Sequence, residues 1–129
     1  MAPGSRGISD TELEILKVLW DLEEGTVRDV LDSLATNGRE WAYTTAQTFL
    51  NRLQEKGFLQ SSKVGRAFVF SPVVSRDELL GQSLEALAAR VCDGAPMPLL
   101  LNLVQTSQFT RDDIEHFRRM LDSLEKGDE

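Results

Sequence analysis

The sequence predicts a mainly α fold with one small β-hairpin, and three observations lead there. Helix-start signatures recur along the chain, each followed by apolar residues at helical spacing. The period changes from helical to alternating after Gly57 and turns helical again at Ser75. The resulting order is three short helices, a hairpin and three further helices.

The run from Ser9 to Glu12 is a capping box, in which hydroxyl and carboxylate reciprocally satisfy free backbone N–H groups. It opens a first helix carrying Leu13, Ile15, Leu16, Leu19 and Trp20. Thr26 to Asp29 opens a second. Its Val27, Val30, Leu31 and Leu34 fall at i, i+3, i+4 and i+7, and Asn37-Gly38 ends it. A third helix begins near Thr44 or Thr45 and runs to Lys56-Gly57. FLQSSKV and AFVFSP then read as strands around a tight turn at Gly65-Arg66, with Pro72 ending the second. Ser75 to Glu78 caps a fourth helix with Leu79, Leu80, Leu84, Leu87 and Val91. Gly94, Pro96 and Pro98 are read as breakers before a short apolar helix from Leu99 to about Val104. Thr110 to Asp113 opens the last, with Ile114, Phe117, Met120, Leu121 and Leu124. Three short helices followed by a hairpin form the winged variant of helix-turn-helix. The expected limits are 8–74 for a winged-helix DNA-binding domain and 75–126 for a helical dimerisation region. Loose ends are expected at 1–7 and 127–129.

At 129 residues the chain fits one domain, or one small domain with an appendage. Its net charge of −7 speaks against a nucleic-acid partner until the charge is located. Residues 1–38 carry −5 and residues 77–129 carry −6. Residues 39–76 hold six basic side chains against Glu40 and Glu55, a local +4. A polyanion meets local charge within a Debye length, so this basic island matters more than the total. Cys92 is the only cysteine, which rules out a disulfide within the chain and a cysteine metal cage. The expected compartment is the reducing cytoplasm. The N-terminus lacks a signal-peptide core, and no apolar run reaches membrane-span length.

The third helix carries the functional signal. With Thr44 at 0° and about 100° per residue, Ala46, Phe49, Leu50 and Leu53 form one apolar arc centred near roughly 190°. Thr44, Gln47, Thr48 and Asn51 occupy the opposite arc, with Thr45 and Arg52 on its flank. In an otherwise charge-rich chain, one outer face is made of uncharged hydrogen-bonding groups. Such a face suits base edges in the major groove: amides pair with adenine, and Thr offers a hydroxyl and a methyl. Arg52, Lys56, Lys63 and Arg66 are then candidate phosphate contacts. A merely solvated face competes with this reading.

The run WAYTTAQTFLNRLQEKGFLQSSKVGRAFVFSPVVSRDEL resembles the penicillinase-repressor family, the BlaI/MecI-type transcriptional regulators. Leu19-Trp20 matches the pair that ends that family's first helix. Tyr43, Thr44, Thr45, Thr48, Leu50, Arg52, Leu53, Lys56 and Gly57 match its recognition helix. Gly65, Arg66, Ala67, Phe70 and Pro72 match its wing, with Phe70 standing where the family has Tyr. The likeness extends from about residue 8 to 126, and its C-terminal third matches mainly in helix pattern.

The resemblance implies a homodimeric repressor on a palindromic double-stranded DNA operator with TACA/TGTA-like half-sites, paired through its C-terminal helices. The residues point the same way, since 79–124 are too apolar to stand as isolated helices. Pairing two copies would bury Leu84, Leu87, Val91, Leu99, Leu100, Leu103, Phe117, Met120 and Leu124. Folding back onto the chain's own winged helix is the alternative. In some relatives a membrane-bound sensor metalloprotease cuts an Asn-Phe bond in this region. The matching position is Asn102-Leu103, apolar but not aromatic on the leaving side. Copper-responsive members use a C-terminal cysteine cluster, which the lone Cys92 cannot supply. Cys92 is expected to be a small buried residue near a helix end.

No catalysis and no cofactor are expected. Asp112 and Asp113 sit in a first helical turn, where the dipole favours anions, and His116 reads as a surface or interface residue. There is no Gly-rich phosphate loop, no nucleophile set and no metal-ligand spacing. Two alternatives stay open. One is a winged-helix regulator controlled by a ligand in a dimer cleft. The other is a winged helix used only for protein–protein assembly, which would have no need of the basic island or of Gly65-Arg66.

Overall fold

The computed structural model describes residues 7–127, so the expected loose residues 1–6 and 128–129 lie outside the described residues. The order is α1 (Asp10–Leu22), α2 (Val27–Thr36), α3 (Tyr43–Glu55), β1 (Leu59–Val64), β2 (Ala67–Pro72), α4 (Arg76–Val91), α5 (Pro96–Thr106) and α6 (Arg111–Glu125). This is a winged helix-turn-helix followed by further helices. The chain forms two compact units, one up to Leu87 and one from Ala88.

In the first unit the helices start where their caps are. Ser9 and Glu12 close a capping box at 3.1 and 2.8 Å, and Thr26 and Asp29 close another at 3.1 and 2.9 Å. Ser75 and Glu78 repeat the pattern ahead of α4. α3 differs. Its N-cap is Ala42, with no side-chain cap bond, and the helix begins at Tyr43, just before the expected Thr44 or Thr45. The Ala42 carbonyl takes the Ala46 N–H at 3.1 Å, and burial of one face supplies what the missing cap does not. That face is Ala46, Leu50 and Leu53, all fully buried against Ile15, Leu16, Leu19, Val30, Leu34 and Phe58.

The hairpin pairs Leu59 with Pro72 through to Val64 with Ala67, around the two-residue turn Gly65-Arg66. Gly65 has φ +65°, a region that a side chain disfavours and that tight hairpin turns require. A two-stranded hairpin alone is marginal in water. This one is joined to the helices by backbone: Gly25 N–H donates to Phe70 O at 2.9 Å, and Phe70 N–H donates to Gly25 O at 2.8 Å. The Phe70 side chain is buried beneath that bridge. At the hairpin's exit, Trp20 Nε1 donates to Val74 O at 2.9 Å.

One ion pair ties the start of α1 to the end of α3. Lys56 Nζ lies 2.8 Å from Glu12 Oε1 and also donates to Gly7 O at 3.0 Å. The Glu12 side chain is 1% exposed and that of Lys56 28%. Burial pushes the Glu12 carboxyl up. The Lys56 hydrogen bond, the Ser9 backbone N–H and the Lys56 charge together outweigh this and hold it below its ordinary 4.5.

In the second unit, α5 starts at Pro96 rather than Leu99 and runs to Thr106. The prolines expected to break the chain instead open the helix, because first-turn N–H groups have no intrahelical acceptor to lose. α6 follows a capping box of Thr110 and Asp113. Neither α5 nor α6 has a buried residue. No single helix among the described residues is long and apolar enough to cross a membrane.

Lys56→Met leaves the Glu12 carboxylate buried without its partner. Breaking a buried pair costs about 3–5 kcal/mol, and the part-exposed ammonium reduces the expectation to about 2–3 kcal/mol. Urea unfolding at pH 7 measures it, and adding Glu12→Gln to Lys56→Met should restore part of the loss. Because the Glu12 carboxyl is depressed on folding, the pair's contribution is present above the ordinary carboxylate range and is lost as pH falls through the folded value. The Lys56→Met penalty should therefore shrink from pH 7 towards pH 3. A penalty unchanged by pH, or a double variant worse than Lys56→Met alone, contradicts this account.

Candidate nucleic-acid interface

Burial of Ala46, Leu50 and Leu53 fixes the rotation of α3 about its axis. Thr44, Thr45, Thr48 and Asn51 are consequently exposed, and Gln47 is half-exposed. The outer face is also ordered within itself. Thr48 Oγ1 donates to Thr44 O at 2.9 Å, which uses the hydroxyl proton and leaves its acceptor lone pairs and the methyl. Gln47 Nε2 donates to Asn51 Oδ1 at 3.0 Å, an i, i+4 amide pair. The pair keeps Gln47 Oε1 as an acceptor and the Asn51 Nδ2 amino group as a donor, besides the second Gln47 N–H. An adenine edge asks for that combination in the major groove.

Cations flank this face on both sides. Towards Tyr43 and Gln47, a cleft of about 220 Å³ lies between the start of α2, the start of α3 and the wing, with Arg28, Arg66 and Phe68 in its walls. The Arg28 guanidinium is 5.9 Å from the Tyr43 ring centroid. On the opposite flank Arg52 lies 4.9 Å from the Phe49 ring, which stands 5.5 Å from Trp41. Arg39 is 5.9 Å from Trp41 and 3.3 Å from Glu14. Lys63 lies 6.0 Å from Phe68 on the wing. Lys56, grouped with these cations from sequence, is instead engaged with Glu12.

Arg28 and Phe68 join this surface although sequence reasoning did not select them. Arg28 falls on the side of α2 away from Val27, Val30 and Leu31, a signal that it is exposed. What it faces depends on the Gly25–Phe70 bridge, a contact between distant segments that no local pattern announces.

Of the nine residues selected for pairing, Leu84 and Leu87 belong to the first unit and the rest to the second; all are exposed except Leu99, which is half-exposed. A groove of about 630 Å³ runs between α5 and α6, lined mainly by Leu100, Leu103, Val104, Phe109, Ile114 and Phe117. Asn102 and Leu103 are exposed within α5, and Thr106 Oγ1 donates to Asn102 O at 2.8 Å. Cys92 lies just past α4, near a helix end as expected, but is half-exposed rather than buried, on a stretch where Val91 is itself exposed. His116 lies on the groove wall. Asp113 serves as a cap, and the Thr110 backbone N–H is the main cause that holds its carboxyl below its ordinary 3.8. The Ser75 N–H does the same for Glu78. Among the described residues, no group of three or more His, Cys, Asp or Glu side chains is placed to hold a metal ion.

A family model described as penicillinase repressor matches residues 8–123. The penicillinase repressor of Bacillus licheniformis is 30% identical over 115 residues, covering 89% of this chain and 89% of that protein. The transcriptional regulator BlaI of Mycobacterium tuberculosis is 34% identical over 122 residues, covering 93% of this chain and 86% of that protein. A solution structure of monomeric Bacillus licheniformis BlaI in complex with the blaP half-operator is 37% identical, covers 57% of this chain and 88% of that chain, and has a TM-score of 0.48.

The Gln47–Asn51 bond has its own signature. In a nitrogen-resolved NMR spectrum, one side-chain amide proton of Gln47 should lie downfield and move back in Asn51→Ala. A Gln47 side chain indifferent to that substitution would show that the two amides act separately.

Proposed function

The chain belongs to the penicillinase repressor family, and from that premise we propose that it is a sequence-specific transcriptional repressor that binds its operator DNA as a homodimer. One observation carries the reading. α3 presents an uncharged hydrogen-bonding face, held outward by a fully buried opposite face and flanked on both sides by arginines. A helix so built enters a major groove with Thr44, Gln47, Thr48 and Asn51 towards base edges. Tyr43 and Thr45 lie at its leading end. Arg52, Lys63 and Arg66 contact phosphates and set register. Lys56 is assigned to holding α3 on α1, because its ammonium is already committed to Glu12.

Residues 8–74 form the DNA-binding part in this reading, and residues 75–126 form the part that pairs two copies. The apolar side chains of α5 and α6, none buried in the single chain, favour pairing. A two-fold dimer offers two recognition helices and so calls for an operator with two inverted half-sites. Such a repressor acts where the chromosome is, in the cytoplasm. Release by a membrane-bound sensor metalloprotease at Asn102-Leu103 belongs to the same reading. That bond lies inside α5, so the helix must open before a protease can seat it. A ligand-responsive regulator is the second reading, favoured by the apolar groove between α5 and α6. A protein-only assembly module would leave the uncharged face and its flanking arginines without a purpose.

Asn51→Ala or Gln47→Ala should relax preference at one base pair, by about 1–3 kcal/mol, with other positions unchanged. Arg66→Ala should weaken binding to every sequence and lower its salt dependence. Fluorescence anisotropy on a set of base-substituted duplexes measures both. Unchanged base preference in all four alanine variants at Thr44, Gln47, Thr48 and Asn51 would sink direct readout.

For pairing, Phe117→Asp together with Leu103→Asp should turn a dimer into a monomer in sedimentation equilibrium. A wild-type chain that sediments as a monomer at tens of micromolar would contradict the homodimer.

A further inference from the structure

The cleft between the wing and α3 has properties that the base-reading face does not account for. Its lining is Thr26, Val27, Arg28, Tyr43, Gln47, Arg66, Ala67 and Phe68, with no carboxylate among them, in a chain of net charge −7. Two guanidiniums share this space. The ion pairs among the described residues are Arg39–Glu14, Lys56–Glu12 and Arg118–Glu115, so neither Arg28 nor Arg66 has its charge answered by an acid. Two uncompensated cations in one small cleft repel each other, and an anion between them removes that cost.

The fold also joins the two segments that carry them. Arg28 follows Gly25 by three residues, and Arg66 precedes Phe70 by four. Gly25 and Phe70 are joined by two backbone hydrogen bonds of 2.9 and 2.8 Å. A side chain at position 25 would bring a Cβ to 3.1 Å from Asp29 Cβ and 3.4 Å from Leu22 Cδ1, so these neighbours would have to give way slightly. The Tyr43 ring supports the Arg28 guanidinium at 5.9 Å.

We infer that Arg28 and Arg66 together seat one backbone phosphodiester of the bound duplex, at the wing edge of the recognition helix. This rests on the DNA-binding reading and names a contact that the reading had not included. A phosphodiester has two non-bridging oxygens, and two guanidiniums can each take one as paired charge-assisted hydrogen bonds. Gln47 belongs both to the cleft and to the outer face, so a phosphate held here registers the strand beside the base that Gln47 reaches. Arg28 is then a positioning residue, neutral towards sequence.

The test uses the full chain and the duplex that the wild type enriches from a random pool, with a scrambled duplex as its control. Anisotropy is followed against salt for wild type, Arg28→Ala, Arg66→Ala, the double variant and Arg28→Lys. Arg28 is exposed, and circular dichroism checks that each variant keeps the fold. Arg28→Ala should weaken binding to both duplexes by on the order of tenfold and leave their ratio unchanged. The double variant should lose less than the product of the two single losses. Its salt slope should fall by about one rather than two, since a single phosphate is shared. Arg28→Lys should recover the slope but only part of the affinity. Wild-type affinity and slope in Arg28→Ala overturn the inference, as do independent losses with a slope change of about two. Both outcomes leave the repressor reading intact. A wild type that enriches no sequence overturns the repressor reading and this inference with it.

Discussion

The structure depends on one constraint: α3 has a single face that can be buried. Ala46, Leu50 and Leu53 are fully enclosed, and every other assignment on that helix follows from their placement. At about 100° per residue, a rotation of one position would bring polar groups into the core and apolar ones into water. The uncharged outer face is thereby presented in one orientation. Order within the face, from the Thr48 back-bond and the Gln47–Asn51 pair, adds to a direction that the core has already fixed.

The wing depends on the same core. A bare hairpin could not hold Arg66 and Lys63 beside the recognition helix, but Phe58, Leu59 and Phe70 are buried and the Gly25 bridge joins the hairpin to the helices. Four of the acidic residues serve helix starts. Glu12, Asp29, Glu78 and Asp113 all close capping boxes, while residues 39–76 around α3 hold a local basic excess. Glu12 has a second task, since it also binds Lys56 and so holds the end of α3 against the start of α1.

Most of the fold was legible because its signals are local. Capping residues marked four helix starts, alternation and Gly65 marked the hairpin, and the helical wheel of α3 separated its buried residues from its outer ones. What local pattern does not carry has identifiable physical reasons. By residue type alone Pro96 and Pro98 look like breakers, although in a first turn proline loses no hydrogen bond. The Glu12 partner of Lys56 lies 44 residues away in sequence, beyond the reach of any local pattern. Arg28 escaped notice in the same way. Its significance comes from a bridge between Gly25 and Phe70, two positions that share no motif.

The central claim is that the outer face of α3, with the wing beside it, is the surface that meets DNA. Backbone amide shifts of the labelled chain, followed as an enriched duplex is added, test it most directly. The account predicts the largest changes at residues 43–52 and 63–68, with the buried side of α3 moving little. Changes concentrated on α1 or α4, with the outer face of α3 unmoved, would contradict it.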